Sequence, residues 1–170
     1  MDKHDYLLEN FKNIQELIRF SDQKAGALLV VYGFLVTIFL EFIKGNSLVN
    51  PFVYGCKMII IYLIGFCFII SMLVQIYYIV FKIILPQNAK HYKSKDLCYF
   101  YYGHIAEMNK TDFVFNGNKR SNDDLTKDIL TQIYEVAKIL KRKNRNLRVA
   151  SICTLTSIGI LSSYILIIKL

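Results

Sequence analysis

The chain has 170 residues, 54% of them hydrophobic, with no tryptophan and a formal net charge of +8. Soluble domains average about 45–50% apolar residues, so the excess points away from an ordinary water-soluble fold. Its four cysteines, Cys56, Cys67, Cys98 and Cys153, include no CxxC pair, which argues against a disulfide framework or a redox motif.

In chain order, residues 1–24 open the sequence as an amphipathic helix expected on the cytosolic side. Leu7, Phe11, Ile14 and Ile18 recur at helical spacing, with Leu8 and Leu17 widening the stripe. This helix either lies on a membrane surface or packs on other helices. Acidic residues slightly outnumber basic ones before residue 25, which favours helix packing over an anionic surface. The opening carries charge throughout and no uninterrupted apolar core, so the first span is expected to serve as its own insertion signal.

Three apolar runs follow. Residues 25–40 carry no charge and extend past Glu41 to Ile43; Met58 to Phe81 gives 24 uncharged residues and Val149 to Ile168 gives 20. About 20 apolar helical residues cross a bilayer core, so the last two runs qualify outright. The first qualifies if Glu41 sits at the interface. The expected fold class is therefore an all-α membrane protein. Its transmembrane helices cover 25–43, 58–85 and 149–168, with a short external loop at 44–57 and a helical cytosolic region at 86–148.

Charge sets the expected orientation. The segments 1–24 and 82–148 hold 18 of the 21 lysines and arginines, and lysine and arginine near helix ends stay on the cytoplasmic side. The amino terminus is thus expected on the cytoplasmic side of the membrane. A basic segment also suits nucleic acid, but the membrane rule already accounts for it, and no nucleic-acid partner is expected. An anionic ligand or an anionic lipid surface stays open.

Within 86–148, Asp96 to Asn109 form an aromatic segment. Ser121 and Asp124 then fit a capping box opening a helix with apolar positions Leu125, Ile129, Ile133, Ala137, Leu140 and Leu147. No glycine or proline interrupts Asn118 to Ile158, so this helix is expected to enter the last span unbroken.

We find no paired carboxylates, nucleophile elbow, phosphate-cradling glycine loop or metal spacing; His91, Cys98 and His104 are too widely separated to resemble a zinc site. The expectation is a protein without catalytic residues, metal or cofactor. Gly103, His104 and Glu107 form a small polar group in which the histidine is more often a structural hydrogen-bonder. The run Tyr99 to Tyr102 fits core packing or an interfacial belt; it also fits a platform stacking a nucleobase, with lysines nearby for phosphate. In the spans, Ser71 and Gln75 share a face, as do Gly26, Gly33 and Thr37, and Thr156, Gly159 and Ser163. Small residues let membrane helices approach closely, so Gly33, Thr156, Gly159 and Ser163 are the expected packing positions.

Three stretches resemble the small membrane effectors of Pycsar, a bacterial anti-phage system. IRFSDQKAG, Ile18 to Gly26, looks like that family's I-x-x-[AS]-D-x-K-A-G signature, carrying Asp22, Lys24 and Gly26. YYGHIAEM, Tyr101 to Met108, is similar to its aromatic pair followed by G-x-I-A. Asp123 to Ala150 resembles its D-L-x-x-Q-I-Y-x-x-A-x-I-L-x-x-K helix through Gln132, Ile133, Tyr134, Ala137, Ile139, Leu140 and Lys143, with Asn144 where an aromatic is expected. The resemblance implies a two-gene defence. A partner pyrimidine cyclase makes cyclic CMP or cyclic UMP on infection, and the membrane protein, expected as a homo-oligomer in the lipid bilayer, impairs the membrane and kills the cell. The expected ligand contacts are Tyr101, Tyr102 and His104 with Lys138, Arg142 and Arg145. Asp22, Lys24, Gly26, Gln132 and Tyr134 are the expected coupling residues. A structural or channel-type subunit of a membrane complex, unconnected with immunity, is the alternative.

Overall fold

The computed structural model describes residues 3–45, 56–85, 98–99 and 101–169. The expected external turn, the linker after the second span with His91, the residue Phe100 and the side chain of Tyr102 lie outside what is described.

Of the described residues, 94% are helical and none lies in a strand, and three helices are long and apolar enough to cross a membrane. The chain is an all-α membrane protein. Helix α1 spans Lys3–Gly45 without a break, and α2 spans Cys56–Tyr77. The chain continues as a π-helix over Tyr78–Ile84, closed by a Leu85 N–H bond to the Val80 carbonyl at 3.0 Å. Leu85 then turns extended (φ −58°, ψ 137°), the backbone region that a following proline, here Pro86, imposes on its predecessor. Two short helices follow, α3 (Tyr102–Glu107) and α4 (Lys110–Lys119), and then α5 runs unbroken over Asn122–Lys169. At about 1.5 Å per residue, α5 is roughly 70 Å long.

The start of α5 is fixed by the expected capping box. The Asp124 N–H donates to Ser121 Oγ at 3.2 Å, while the Ser121 hydroxyl and N–H donate to Asp124 Oδ2 at 2.7 and 3.2 Å. Two otherwise orphaned donors of the first turn are satisfied reciprocally.

Burial along α5 recurs every seventh residue: Ile129, Val136, Lys143, Ala150, Ser157 and Tyr164 are all buried. In α1, Leu7, Ser21 and Leu35 keep the same period, with Ala25 and Phe39 four residues on. In α2 and the π-helix the buried set is Gly65, Phe68, Met72, Gln75, Ile79 and Ile83. A sevenfold repeat holds one helix face toward its neighbours, as in left-handed helix packing. Leu17, expected in the apolar stripe of α1, falls off this repeat and is 46% exposed.

The chain divides into two compact units, residues 1–20 with 87–142 and residues 21–86 with 143–170. We call them the polar and apolar units. Helices α1 and α5 contribute to both.

The apolar unit is built in layers. An aromatic-rich layer holds Leu35, Phe39, Phe68, Met72, Leu161 and Tyr164, with the Phe39 ring 4.5 Å from Phe68 and 5.3 Å from Tyr164, centroid to centroid. Gly65 leaves room here, since a Cβ would already touch the Tyr164 and Phe39 rings. A second apolar layer consists of Ala25, Ile79, Ile83 and Ala150, each fully buried. Side chains from α2 and α5 bond across their seam with polar groups, Ser71 Oγ to Ser157 Oγ at 2.7 Å and Gln75 Nε2 to Thr154 Oγ1 at 2.8 Å.

Candidate functional site

Two groups of residues stand out, one in each unit. In the apolar unit, α1 and α5 are tied together at the first residues past the unit boundary. The Lys143 ammonium donates to Asp22 Oδ1 at 2.5 Å, and the adjacent Ser21 hydroxyl donates to Asn144 Oδ1 at 2.8 Å. The Asn146 amide donates to the Lys82 carbonyl at 3.2 Å, capping the end of the π-helix. Lys143 is almost wholly buried, its side chain 6% exposed, whereas Asp22 keeps 40%. A buried ammonium that loses its carboxylate costs about 3–5 kcal/mol, less here because Asp22 is partly solvated. The signature residue Asp22 is therefore no simple helix cap; its charge is committed to a partner 121 positions away. Asn144, in place of an aromatic, has a use as well, accepting from Ser21. Lys24 is exposed, as is Gln23 beside it.

In the polar unit the aromatic segment is folded around α3. His104 is buried, and its Nδ1 accepts the Cys98 N–H at 3.0 Å. The Tyr101 ring meets the His104 ring edge-on at 5.1 Å and lies so close to Gly103 that a Cβ there would come within 2.7 Å of it. The glycine of the aromatic–glycine motif is thus required by the tyrosine two residues earlier. His104 behaves as a structural hydrogen-bonder, holding the Cys98 backbone in place.

The cluster next to it follows from no motif. Asp128 on α5 accepts the Tyr99 N–H at 3.1 Å and is ion-paired with Arg120. The Arg120 guanidinium lies 4.3 Å from the centroid of the Tyr99 ring, which stacks on Phe113 at 5.4 Å. Arg120, Tyr99 and Phe113 form a cation–π and stacking column on an acidic anchor. Tyr99 and Asp128 are 29 positions apart, so no local pattern announces them.

The other expected ligand contacts fall unevenly. Lys138 lies 4.2 Å over the Tyr134 ring and 3.8 Å from Glu135 Oε1. Arg142 ends the polar unit, whereas Arg145 belongs to the apolar one. Gln132 is half-buried and Tyr134 60% exposed. An open recess along α1 is lined by Tyr6, Glu9, Asn10, Lys12, Asn13 and Glu16; two carboxylates against one lysine do not suit a phosphate.

The expected packing positions need correction for the single chain. Gly26, Gly33 and Gly159 have no side chain or other helix within reach of an added Cβ, and Thr156 and Ser163 are exposed. Thr37, Thr156 and Ser163 donate to carbonyls of their own helices, Gly33, Cys153 and Gly159 respectively. Within one chain the close approach uses Ala25 and Ala150 instead, together with the polar pairs across the α2–α5 seam. Spans that are apolar on every face give no amphipathic signal to separate the face toward the protein from the face toward lipid.

A helical membrane protein with three spans and a separate polar unit is the class these features define. The model of the Pycsar effector protein domain, PycTM, matches residues 6–169. The chain is also 32% identical over 97 residues to the Pycsar effector protein TpPycTM of Treponema porcinum, covering 54% of this chain and 82% of that protein. No solved structure matches. The chain belongs to the Pycsar effector family and is an anti-phage defence effector.

Proposed function

We propose that this effector is switched on by a cyclic pyrimidine nucleotide, cyclic CMP or cyclic UMP, made by a partner cyclase during infection. It then impairs the integrity of the inner membrane and kills the infected cell before the phage matures. The action is physical, without catalysis. The polar unit and the amino terminus face the cytosol, where the nucleotide is made, and active chains assemble as a homo-oligomer.

The observation that carries this reading is the boundary between the units. α1 and α5 leave the polar unit at Phe20 and Arg142, and the next residues of each, Ser21–Asp22 and Lys143–Asn144, are bonded to one another. A ligand shifts an equilibrium only through different affinities for two states. A nucleotide that favours a different arrangement of the polar unit acts on both helices where the Asp22–Lys143 pair ties them. The nucleotide is read by aromatic faces and cations of the polar unit, through the Tyr101–His104 segment with Lys138 and Arg142, and the Arg120–Tyr99–Phe113 column extends that surface. Stacking on a ring face together with a guanidinium for the cyclic phosphate is the chemistry such a ligand requires.

Binding of radiolabelled cyclic CMP and cyclic UMP to the detergent-purified full chain tests the reading. Saturable binding of one of them, lost on Arg120→Ala or Tyr101→Ala and not competed by cyclic AMP, is expected. Absence of binding of either nucleotide contradicts it.

A further inference from the structure

Ser71 is the midpoint of the apolar stretch Met58–Ile84, and one turn on lies Gln75, completely buried. Facing them from α5 are Ser157 and Thr154. These four polar side chains form a layer between the aromatic layer of Phe39, Phe68 and Tyr164 and the small apolar layer of Ala25, Ile79, Ile83 and Ala150.

The hydroxyls are satisfied without Gln75. Thr154 donates to the Ala150 carbonyl at 2.9 Å and Ser157 to that of Cys153 at 2.8 Å. Gln75 gives one N–H to Thr154, and its carbonyl oxygen has no donor although it is fully enclosed. In hydrocarbon an unpaired amide oxygen is a standing penalty, and leucine at this position would remove it. The oxygen belongs to the layer that also carries the Ser71, Thr154 and Ser157 hydroxyls. Neutral oxygens with no carboxylate among them suit water and weakly hydrated monovalent cations, and not divalent cations, which take carboxylates. Apolar constrictions above and below such a layer gate by excluding water. The apolar layer of Ala25, Ile79, Ile83 and Ala150 lies on the side of the Asp22–Lys143 pair along α1 and α5.

We propose that the layer of Ser71, Gln75, Thr154 and Ser157 is the station at which water and monovalent cations pass the middle of the bilayer in the active state, with Ala25, Ile79, Ile83 and Ala150 as its gate. The inference rests on the reading that the active protein makes the membrane leak. Gln75 supplies the acceptor that hydrates first when α2 and α5 part, and the serine and threonine hydroxyls turn from their own carbonyls to solvate the passing ion.

The test uses the full chain in liposomes of phosphatidylethanolamine and phosphatidylglycerol holding a KCl gradient, with cyclic CMP or cyclic UMP added. Potassium efflux and the reversal potential are read. Gln75→Leu is expected to bind nucleotide like the parent, which shows that it is folded, yet lose at least tenfold in efflux. Gln75→Glu keeps the side chain's shape and adds charge, and is expected to raise preference for potassium over chloride several-fold. Parent-like efflux and selectivity in both variants overturn the station alone. Lost efflux in Gln75→Leu with unmoved selectivity in Gln75→Glu also overturns it, since that pattern belongs to packing. A parent chain that binds nucleotide but holds its gradient overturns the leakage reading and the station together.

Discussion

Among the described residues each unit buries one side-chain oxygen that has no donor, Glu135 Oε2 in the polar unit and Gln75 Oε1 in the apolar unit. Their surroundings differ. Glu135 is an acidic residue with Lys138 one turn along its own helix, 3.8 Å from its other oxygen. Gln75 is neutral, and its partner comes from another helix. The polar groups around them follow the same division. In the polar unit, His104 and Asp128 accept from the backbone N–H groups of Cys98 and Tyr99, and they hold a loop in shape. In the apolar unit, Ser71, Gln75, Thr154 and Ser157 bond across the seam between α2 and α5. With no water to substitute, those bonds between helices are the ones whose loss the membrane penalises.

Breaking the tie at the boundary between the units is expected to have the largest effect. Asp22→Asn keeps the shape and any capping ability of the residue and removes only the charge facing Lys143. Were Asp22 a cap alone, asparagine would serve as well, and a cap is worth about 0.5–2 kcal/mol. The expected outcome is loss of cyclase-dependent killing with normal amounts of protein in the membrane fraction. Colony counts and membrane immunoblots from the same cultures measure it, and full killing by the variant removes the boundary pair from the account.

Next in size is the outward face of the third span. A Cβ at Gly159 would meet no other side chain or helix within 4 Å, so Gly159→Leu is expected to spare packing within the chain and to obstruct packing between chains. The variant is expected to bind nucleotide like the parent and to fail to depolarise cells carrying an active cyclase. Parent-like depolarisation would show that the Thr156–Gly159–Ser163 face is not where chains meet.

The comparison of the two orphaned oxygens is sharpened by Glu135→Gln. Replacing a desolvated carboxylate by a neutral amide of the same shape is expected to raise stability by about 0.5–1.5 kcal/mol, read as an upward shift in thermal unfolding of the detergent-solubilised chain. A fall of that size would mean that the charge of Glu135 is well partnered when the protein is in solution.

The smallest effect belongs to the exposed cap of α5. The Ser121 hydroxyl bonded to Asp124, helped by the Ser121 N–H, holds the Asp124 carboxyl below its ordinary value of 3.8. A depressed folded value means that the contribution is complete above 3.8 and disappears as pH falls through the folded value. Protection of the first-turn amides of α5, their exchange measured against the intrinsic rate at each pH, is therefore expected to fall in that acidic window. In Ser121→Ala that protection should already be low at neutral pH and change little on acidification.

The parts legible in the sequence were those written locally. The three spans follow from run length, α5 from the absence of glycine and proline between Asn118 and Ile158, and its start from the Ser121–Asp124 spacing. What stayed hidden depends on pairs distant in sequence. Asp22 and Lys143 are 121 positions apart, Gln75 and Thr154 are 79 apart, and Asp128 meets Tyr99 across 29. Small residues in the spans were the wrong guide to packing within one chain. A glycine in an all-apolar helix marks a place where close approach is allowed, and in α1 and α5 the approach within the chain is made by Ala25 and Ala150, leaving Gly33 and Gly159 outside. The expected ligand residues carried no register signal of their own, and the bond from the Cys98 N–H to His104 is not written in any motif.

The central claim is that a cyclic pyrimidine nucleotide converts this chain into a membrane-damaging form. Its most direct test is the membrane potential of cells expressing the effector, followed with a voltage-sensitive dye while a pyrimidine cyclase is induced, beside a catalytically dead cyclase and the cyclase alone. Depolarisation is expected only where effector and active cyclase are both present, beginning as the cyclic nucleotide accumulates and before cell counts fall. Depolarisation with the dead cyclase, or an undisturbed potential while cells die with the active one, would contradict it.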